Sequence, residues 1–212
     1  MRRKQEIEVK LEVRDPEEVK RRLRALGFCR IQARHFESNR LFDFPDGALR
    51  RARSVMRLRV ADGKALLTFK GAPARSRRYK VRRELETEVP NADVVRELLE
   101  GIGLEEIFRY DKYRTRYAAP LQRRRIGQGE IVYDETPIGN YLELEGPRRW
   151  IDRVARGLGF GPRNYITLSY ATLYYLKCRA AKKKPGNMVF ESRNPAGRLR
   201  SSRTRRRDPG RC

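Results

Sequence analysis

Acidic side chains at alternate positions of two segments could bind a divalent cation. Glu6 and Glu8 lie near the start of the chain, and Glu143 and Glu145 repeat the spacing much later. Asp134 precedes the second pair in a neighbouring segment. Carboxylate oxygens are the ligands that Mg²⁺ and Mn²⁺ prefer in proteins. These five acids are therefore candidate metal ligands, and Mg²⁺ or Mn²⁺ is the expected cofactor.

Basic side chains form a second set, in segments where charged and apolar residues alternate. Arginine and lysine bind phosphate oxygens, and arginine can do so through two parallel hydrogen bonds. The set comprises Lys10, Arg57, Arg59, Lys70, Arg82, Lys112, Arg114 and Arg116. Acids beside a phosphate chain need cations between them, so the two sets together predict a metal-bridged polyphosphate as the ligand.

Strands must position these residues, because side chains alternate between the two faces of a strand. In residues 6–13, the apolar residues share one face and the charged residues share the other. An exposed strand with cross-strand ion pairs would alternate as well, and this is the simpler reading of any single segment. If all the alternating segments were exposed strands, however, the predicted helices would have no apolar sheet face to pack on. We therefore expect the charged faces to line an internal cavity.

An internal repeat predicts how the strands are arranged. With a shift of 76 residues, Val19 corresponds to Val95 and Gly27 to Gly103, at the same points of two strand-helix-strands units. Two such units can close one antiparallel barrel that leaves no exposed strand edge. The predicted fold is α+β, with helices packed outside the barrel. Between residues 28 and 44 we predict two strands, 28–36 and 39–44, and we assign no role to His35.

The charge of the chain suggests a division at residue 178. The formal net charge is +24, from 51 Lys and Arg against 27 Asp and Glu. Residues 179–212 contain 12 basic and 2 acidic residues and little apolar periodicity, which predicts a basic, disordered tail after a domain at 1–178. The tail could contact nucleic acid or another polyanion nonspecifically.

The sequence gives no sign of export or membrane insertion. The charged N-terminus leads directly into a charged segment without an apolar stretch, and no segment has the length and hydropathy of a membrane span. We therefore expect a cytoplasmic protein without a membrane partner, and a homodimer is compatible with the sequence.

The ordered series of motifs resembles the CYTH superfamily, the triphosphate tunnel metalloenzymes. The resemblance covers about Glu6 to Leu176 and rests on the opening ExExK pattern, Leu67-Thr68-Phe69-Lys70-Gly71, Lys112-x-Arg114 and the closing ExE pair. It implies a closed eight-stranded antiparallel tunnel with helices outside. It also implies that Glu84 and Glu86 line the tunnel and that Lys10 and Lys112 are catalytic. Many members have a tyrosine where this chain has Leu41.

Three functions are compatible with the sequence. Hydrolysis of the terminal phosphate of an inorganic or organic triphosphate, such as ATP or thiamine triphosphate, is the one we favour. A class IV adenylate cyclase would use the same acids and bases to convert ATP to cyclic AMP and pyrophosphate. A non-enzymatic polyanion or RNA binder would explain the net charge and the 203–207 arginine run, but it would not need the acidic pairs.

Overall fold

The structure is a computed structural model that describes residues 2–119 and 129–191. The described residues form eight strands and five α-helices. The strands are β1 (Arg2–Val13), β2 (Cys29–Asp43), β3 (Val55–Ala61), β4 (Lys64–Lys70), β5 (Lys80–Val89), β6 (Glu105–Ala118), β7 (Glu130–Thr136) and β8 (Gly139–Glu145). The helices are α1 (Pro16–Ala25), α2 (Ala48–Arg51), α3 (Ala92–Gly101), α4 (Arg148–Gly157) and α5 (Tyr170–Ala180).

The strands close into one antiparallel barrel. Their order around it is β1-β5-β4-β3-β2-β6-β7-β8, and β8 pairs with β1 to complete the circle. Closure pairs every strand on both sides, so none of these strands presents an open edge. The predicted eight-stranded antiparallel barrel with external helices is confirmed.

The two halves of the barrel follow the repeat. A shift of 76 residues places the bounds of α1 on those of α3, and Gly27 and Gly103 follow these helices with φ of 80° and 92°. Glycine tolerates this left-handed conformation, which ends each helix. The equivalent strands β1 and β5 pair with each other, as do β2 and β6.

External helices explain why the charged strand faces point inward. Val9 and Leu11 of β1 are buried in an apolar cluster with Leu23 of α1 and Ile151 of α4. The charged residues between them on β1 must then face the lumen. Asp15 begins α1 by accepting hydrogen bonds from the backbone N–H groups of the next turn.

The second strand differs from its prediction. We expected a break between 28–36 and 39–44, but β2 runs through both segments as one strand of 15 residues. Its register against β6 shifts between Arg30 and Gln32 and again before His35. These irregularities interrupt the alternation that sequence reasoning relies on. Glu37, which the predicted break had placed between two strands, lies within this continuous strand and pairs with Lys112 of β6.

The chain remains packed beyond the expected boundary at 178. Helix α5 continues to Ala180, and Met188 forms a bridge to Tyr110 of β6 and is 1% exposed. Met188 and Phe190 therefore pack on β6, in contrast to the disorder expected from residue 179. The rest of the tail, with its arginine run at 203–207, lies outside the described residues. Of the helices in the described ranges, none is long and apolar enough to cross a membrane.

Candidate functional site

The barrel encloses a cavity of about 560 Å³. Every predicted site residue except Asp134 lines it. The basic residues that line it are Lys10, Arg57, Arg59, Lys70, Arg82, Lys112, Arg114 and Arg116, and the acidic ones are Glu6, Glu8, Glu84, Glu86, Glu143 and Glu145. This volume lies within the range of small-molecule pockets, roughly 300–1,000 Å³.

Asp134 is fully buried and does not line the cavity itself, but it binds side chains that do. Arg114 donates two hydrogen bonds of 2.7 Å to the carboxylate, one to each oxygen. Lys112 Nζ donates to Oδ2 at 2.9 Å, and the Tyr170 hydroxyl donates to the same oxygen at 2.8 Å. Asp134 thus holds Lys112 and Arg114 in place, with three donors on Oδ2 and one on Oδ1.

Lys10 lies between two of the acids. Its Nζ is 3.3 Å from Glu8 Oε1 and 2.9 Å from Glu143 Oε1. Burial would lower the pKa of Lys10, but Glu143 and Glu8 raise it above its ordinary value. Burial likewise would raise the pKa of Glu143, but Lys10, Lys112 and Arg114 lower it. Both side chains are therefore charged at neutral pH.

The pKa values of the first two acids of β1 are shifted in opposite directions. Lys70 Nζ contacts both oxygens of Glu6, at 2.8 and 2.7 Å, and Lys80 Nζ donates to Glu8 Oε1 at 2.7 Å. Burial and the neighbouring Glu8 outweigh Lys70 and raise the pKa of Glu6 to about 8. Burial also acts on Glu8, but Lys10 and Lys80 hold its pKa well below the ordinary value.

The basic wall of the cavity is formed by β3 and β6. Arg57 donates to Thr68 Oγ1 at 3.2 Å, and Arg59 Nε donates to Asn39 Oδ1 at 3.1 Å. The carboxylates beside these guanidinium groups lie at 3.6 Å, Glu86 from Arg57 and Glu37 from Arg59, so an anion in the cavity could bind both arginines more closely. At the edge of the wall, Arg116 forms a bidentate ion pair with Glu130, and both side chains are partly exposed.

The acidic side chains of the cavity are the candidate ligands for a metal ion. Within residues 2–119 and 129–191, no three His, Cys, Asp or Glu side chains converge closely enough to hold a metal ion. Lysine ammonium groups occupy the positions beside Glu6 and Glu8. The donor chemistry fits a hard cation, because the donors are carboxylate oxygens. Because these lysines occupy the carboxylate oxygens, a metal ion would have to displace them in order to bind Glu6 and Glu8.

Several residues that line the cavity were not among the predicted site residues, including His35, Glu37, Lys80, Tyr110 and Tyr170. Lys80 lies opposite Glu8 on β5. Its position two residues before Arg82 was sufficient to predict that it faces the cavity as Arg82 does. Glu37 was hidden by the predicted break in β2. Tyr110, which interacts electrostatically with Arg57, and Tyr170, from the start of α5, provide phenols in a tunnel where position 41 is leucine. The position of Tyr170 depends on where α5 docks, and no local pattern reveals that.

Comparison with known proteins agrees with this geometry. The chain matches the sequence model of the CYTH domain family over residues 4–155. A protein of Methanocaldococcus jannaschii, provisionally named an adenylate cyclase, is 27% identical over 172 residues, covering 79% of this chain and 97% of its own.

Two solved structures share the fold. One from Vibrio parahaemolyticus, also provisionally named an adenylate cyclase, has a TM-score of 0.70 at 19% identity and covers 80% of this chain and 97% of its own. One from Hippeastrum, provisionally named an adenylyl cyclase but described as having a dominant triphosphatase activity, has a TM-score of 0.58 at 21% identity and covers 85% and 97%.

Proposed function

The chain belongs to the CYTH domain family, and on this premise we propose that it is a metal-dependent enzyme that hydrolyses the terminal phosphate of a triphosphate. The observation that carries the proposal is the convergence of eight predicted basic residues on one cavity that also contains the acidic pairs. A cavity built only to bind a polyanion would not need the acids, since they repel the ligand.

The basic wall would hold the phosphate chain. Arg57 and Arg59 donate hydrogen bonds to neutral partners and lie 3.6 Å from the carboxylates of Glu86 and Glu37, so a phosphate group could approach them more closely than these acids do. Lys112 and Arg114 already share Asp134 and would keep their orientation when the phosphate binds. Such fixed cations stabilise the charge that develops on the phosphoryl oxygens without moving during the reaction.

The acidic pairs would hold Mg²⁺ or Mn²⁺ at the other side of the phosphate chain. The proposed ligands are Glu6, Glu8, Glu143 and Glu145, with Asp134 near a second ion. When bound, such ions neutralise the phosphate chain and activate a water molecule. Lys10, which bridges Glu8 and Glu143, is positioned between acids and phosphate and would neutralise charge on the leaving diphosphate. Lys112 would neutralise charge on the terminal phosphate.

Adenylate cyclase activity is the second candidate. It is favoured by the provisional name of the Methanocaldococcus relative, which is 27% identical to this chain. The description of the Hippeastrum protein favours hydrolysis, because its dominant activity is given as that of a triphosphatase despite an adenylyl cyclase name. The two reactions differ in which phosphorus meets the nucleophile and therefore in their products.

Product analysis tests the proposal. The protein is incubated with tripolyphosphate, ATP or thiamine triphosphate, with Mg²⁺ or Mn²⁺, and the products are identified by chromatography. We expect metal-dependent phosphate release without cyclic AMP, and strong loss of activity in Glu8→Gln. Glu12→Gln is the matched control, because Glu12 lies on the same strand outside the cavity and is about half exposed. Formation of cyclic AMP with pyrophosphate would instead support the cyclase.

A further inference from the structure

Glu37 is a buried carboxylate among the bases that we propose bind phosphate. It is 2% exposed and lines the cavity from β2. Lys112 Nζ lies 3.5 Å from its Oε2, and Arg59 Nε lies 3.6 Å from the same oxygen. Arg114 Nε lies 3.9 Å from Oε1. A phosphate group bound by these three cations would therefore lie beside Glu37.

One oxygen of this carboxylate is without a hydrogen bond. Oε1 faces His35 Nε2 at 3.4 Å, whereas Oε2 accepts no hydrogen bond from any donor in the described residues. Lys112 and Arg59 are in electrostatic contact with Oε2 but do not donate to it in hydrogen-bond geometry. Buried acceptors normally have a partner, so an unpaired oxygen at a cavity wall points to a donor inside the cavity.

That donor must be neutral or carry a proton that it can share. Burial would raise the pKa of Glu37, but Arg114, Arg59 and Lys112 lower it well below its ordinary value, so the group is an ionised acceptor. A phosphate oxygen would be repelled by it. Binding alone thus gives no reason for a carboxylate here, whereas an O–H group beside the phosphate would be attracted.

We propose that Glu37 Oε2 accepts a hydrogen bond from the attacking water and directs its oxygen at the phosphorus held by Lys112, Arg59 and Arg114. This role rests on the proposed triphosphate hydrolysis. The contact of His35 with Oε1 fixes the carboxylate and leaves Oε2 free for the water. Glu37 is then a catalytic residue, and His35 is a positioning residue.

The step balances without a further reactant. The water oxygen forms a bond to the terminal phosphorus, the bridging P–O bond breaks, and its electron pair leaves with the diphosphate. One water proton passes to Glu37 Oε2 and from there to solvent. Phosphoryl transfer proceeds through a loose transition state that needs an oriented nucleophile more than a strong base. A carboxylate with a low pKa is sufficient for that purpose.

The test compares Glu37→Gln with Glu106→Gln, using tripolyphosphate with Mg²⁺. The substrate has no hydroxyl nucleophile, so only water can attack. We expect Glu37→Gln to lower kcat about 100-fold, near the lower end of acid–base contributions, while KM stays the same or falls because a negative charge leaves the pocket. Glu106 pairs with Arg40 at 2.7 Å, and neither residue lines the cavity. The Glu106→Gln variant should therefore keep the kcat and KM of the wild type.

Other outcomes would overturn the inference. If Glu37 only arranged the bases, its substitution would raise KM and leave kcat unchanged. If wild type turned over tripolyphosphate and Glu37→Gln matched it, the role of Glu37 would be refuted while the proposed function stood. If wild type turned over no triphosphate, both would fall. Should Glu37→Gln not fold, Glu37→Asp keeps the charge but withdraws the oxygen, and its kcat should fall with KM unchanged.

Discussion

Replacing Asp134 by asparagine should destabilise the protein strongly. The carboxylate is fully buried and accepts four hydrogen bonds, from Arg114, Lys112 and Tyr170. The amide removes the negative charge and turns one oxygen into an NH₂ group that faces these donors. Lys112, which is 2% exposed, then keeps its charge without its closest partner.

The expected magnitude follows from the burial of the pair. Removing one partner of a buried ion pair costs about 3–5 kcal/mol, because the remaining charge stays uncompensated. Glu130→Gln is the matched control, since Glu130 makes the same bidentate pair with Arg116 on the same two strands. Its side chain is 36% exposed and that of Arg116 is 41% exposed. Exposed pairs contribute only about 0.2–1 kcal/mol.

Denaturant unfolding of both variants measures the difference. The account predicts that Asp134→Asn loses at least about 3 kcal/mol and Glu130→Gln less than about 1 kcal/mol. Tripolyphosphate should stabilise Asp134→Asn more than wild type, because it binds to cations that have lost a competing anion. Equal, small losses in both variants would refute the buried network, and an absence of extra stabilisation would refute the link to phosphate binding.

Three further predictions concern charge, binding and packing. Because burial and Glu8 raise the pKa of Glu6 from 4.5 to about 8, the folded protein holds this proton at a pH where the unfolded chain has lost it. The stability of the metal-free protein should therefore fall as pH rises through that window, and Glu6→Gln should flatten the slope in unfolding curves. Arg57→Gln should weaken tripolyphosphate binding in calorimetry by about tenfold or more, as expected for a lost charge-assisted hydrogen bond; Arg40→Gln, outside the cavity, should not. Met188→Ala should cost about 2–5 kcal/mol in denaturant unfolding, and a loss near zero would show that residues 179–191 do not pack on the barrel.

The alternation of apolar and charged residues along the strands accounts for most of what could be predicted about the fold. In β1, the apolar residues at odd positions and the charged residues at even positions specify which face meets helices and which meets the cavity. The 76-residue repeat then indicates that β5 and β6 are built like β1 and β2. These two local signals are sufficient for the barrel and for the placement of the charged residues.

Pairing across strands could not be predicted. Several basic residues in the sequence could pair with Glu8, and the folded structure places Lys80 and Lys10 beside it. Burial raises the pKa of both acids, but Lys10 and Lys80 bring that of Glu8 well below its ordinary value, although Glu6 and Glu8 are identical in type and lie two positions apart. Such differences arise from neighbours distant in sequence, so no local pattern contains them.

Irregular backbone hid the remaining residues. The register shifts of β2 before His35 broke the alternation, and Glu37 was not recognised as a cavity residue. Tyr170 belongs to a helix whose Tyr and Leu content predicts packing, yet its hydroxyl reaches Asp134 inside the barrel. The docking of α5 depends on tertiary contacts such as the bridge between Lys10 and Ile166.

The most direct test of the central claim is to hydrolyse tripolyphosphate in ¹⁸O-labelled water with Mg²⁺ and locate the label by ³¹P NMR. If water attacks the terminal phosphorus, the label appears in orthophosphate and the diphosphate remains unlabelled. Label in the diphosphate would place the attack at the central phosphorus. Absence of any turnover with Mg²⁺ or Mn²⁺ would contradict the assignment of the cavity as a triphosphatase site.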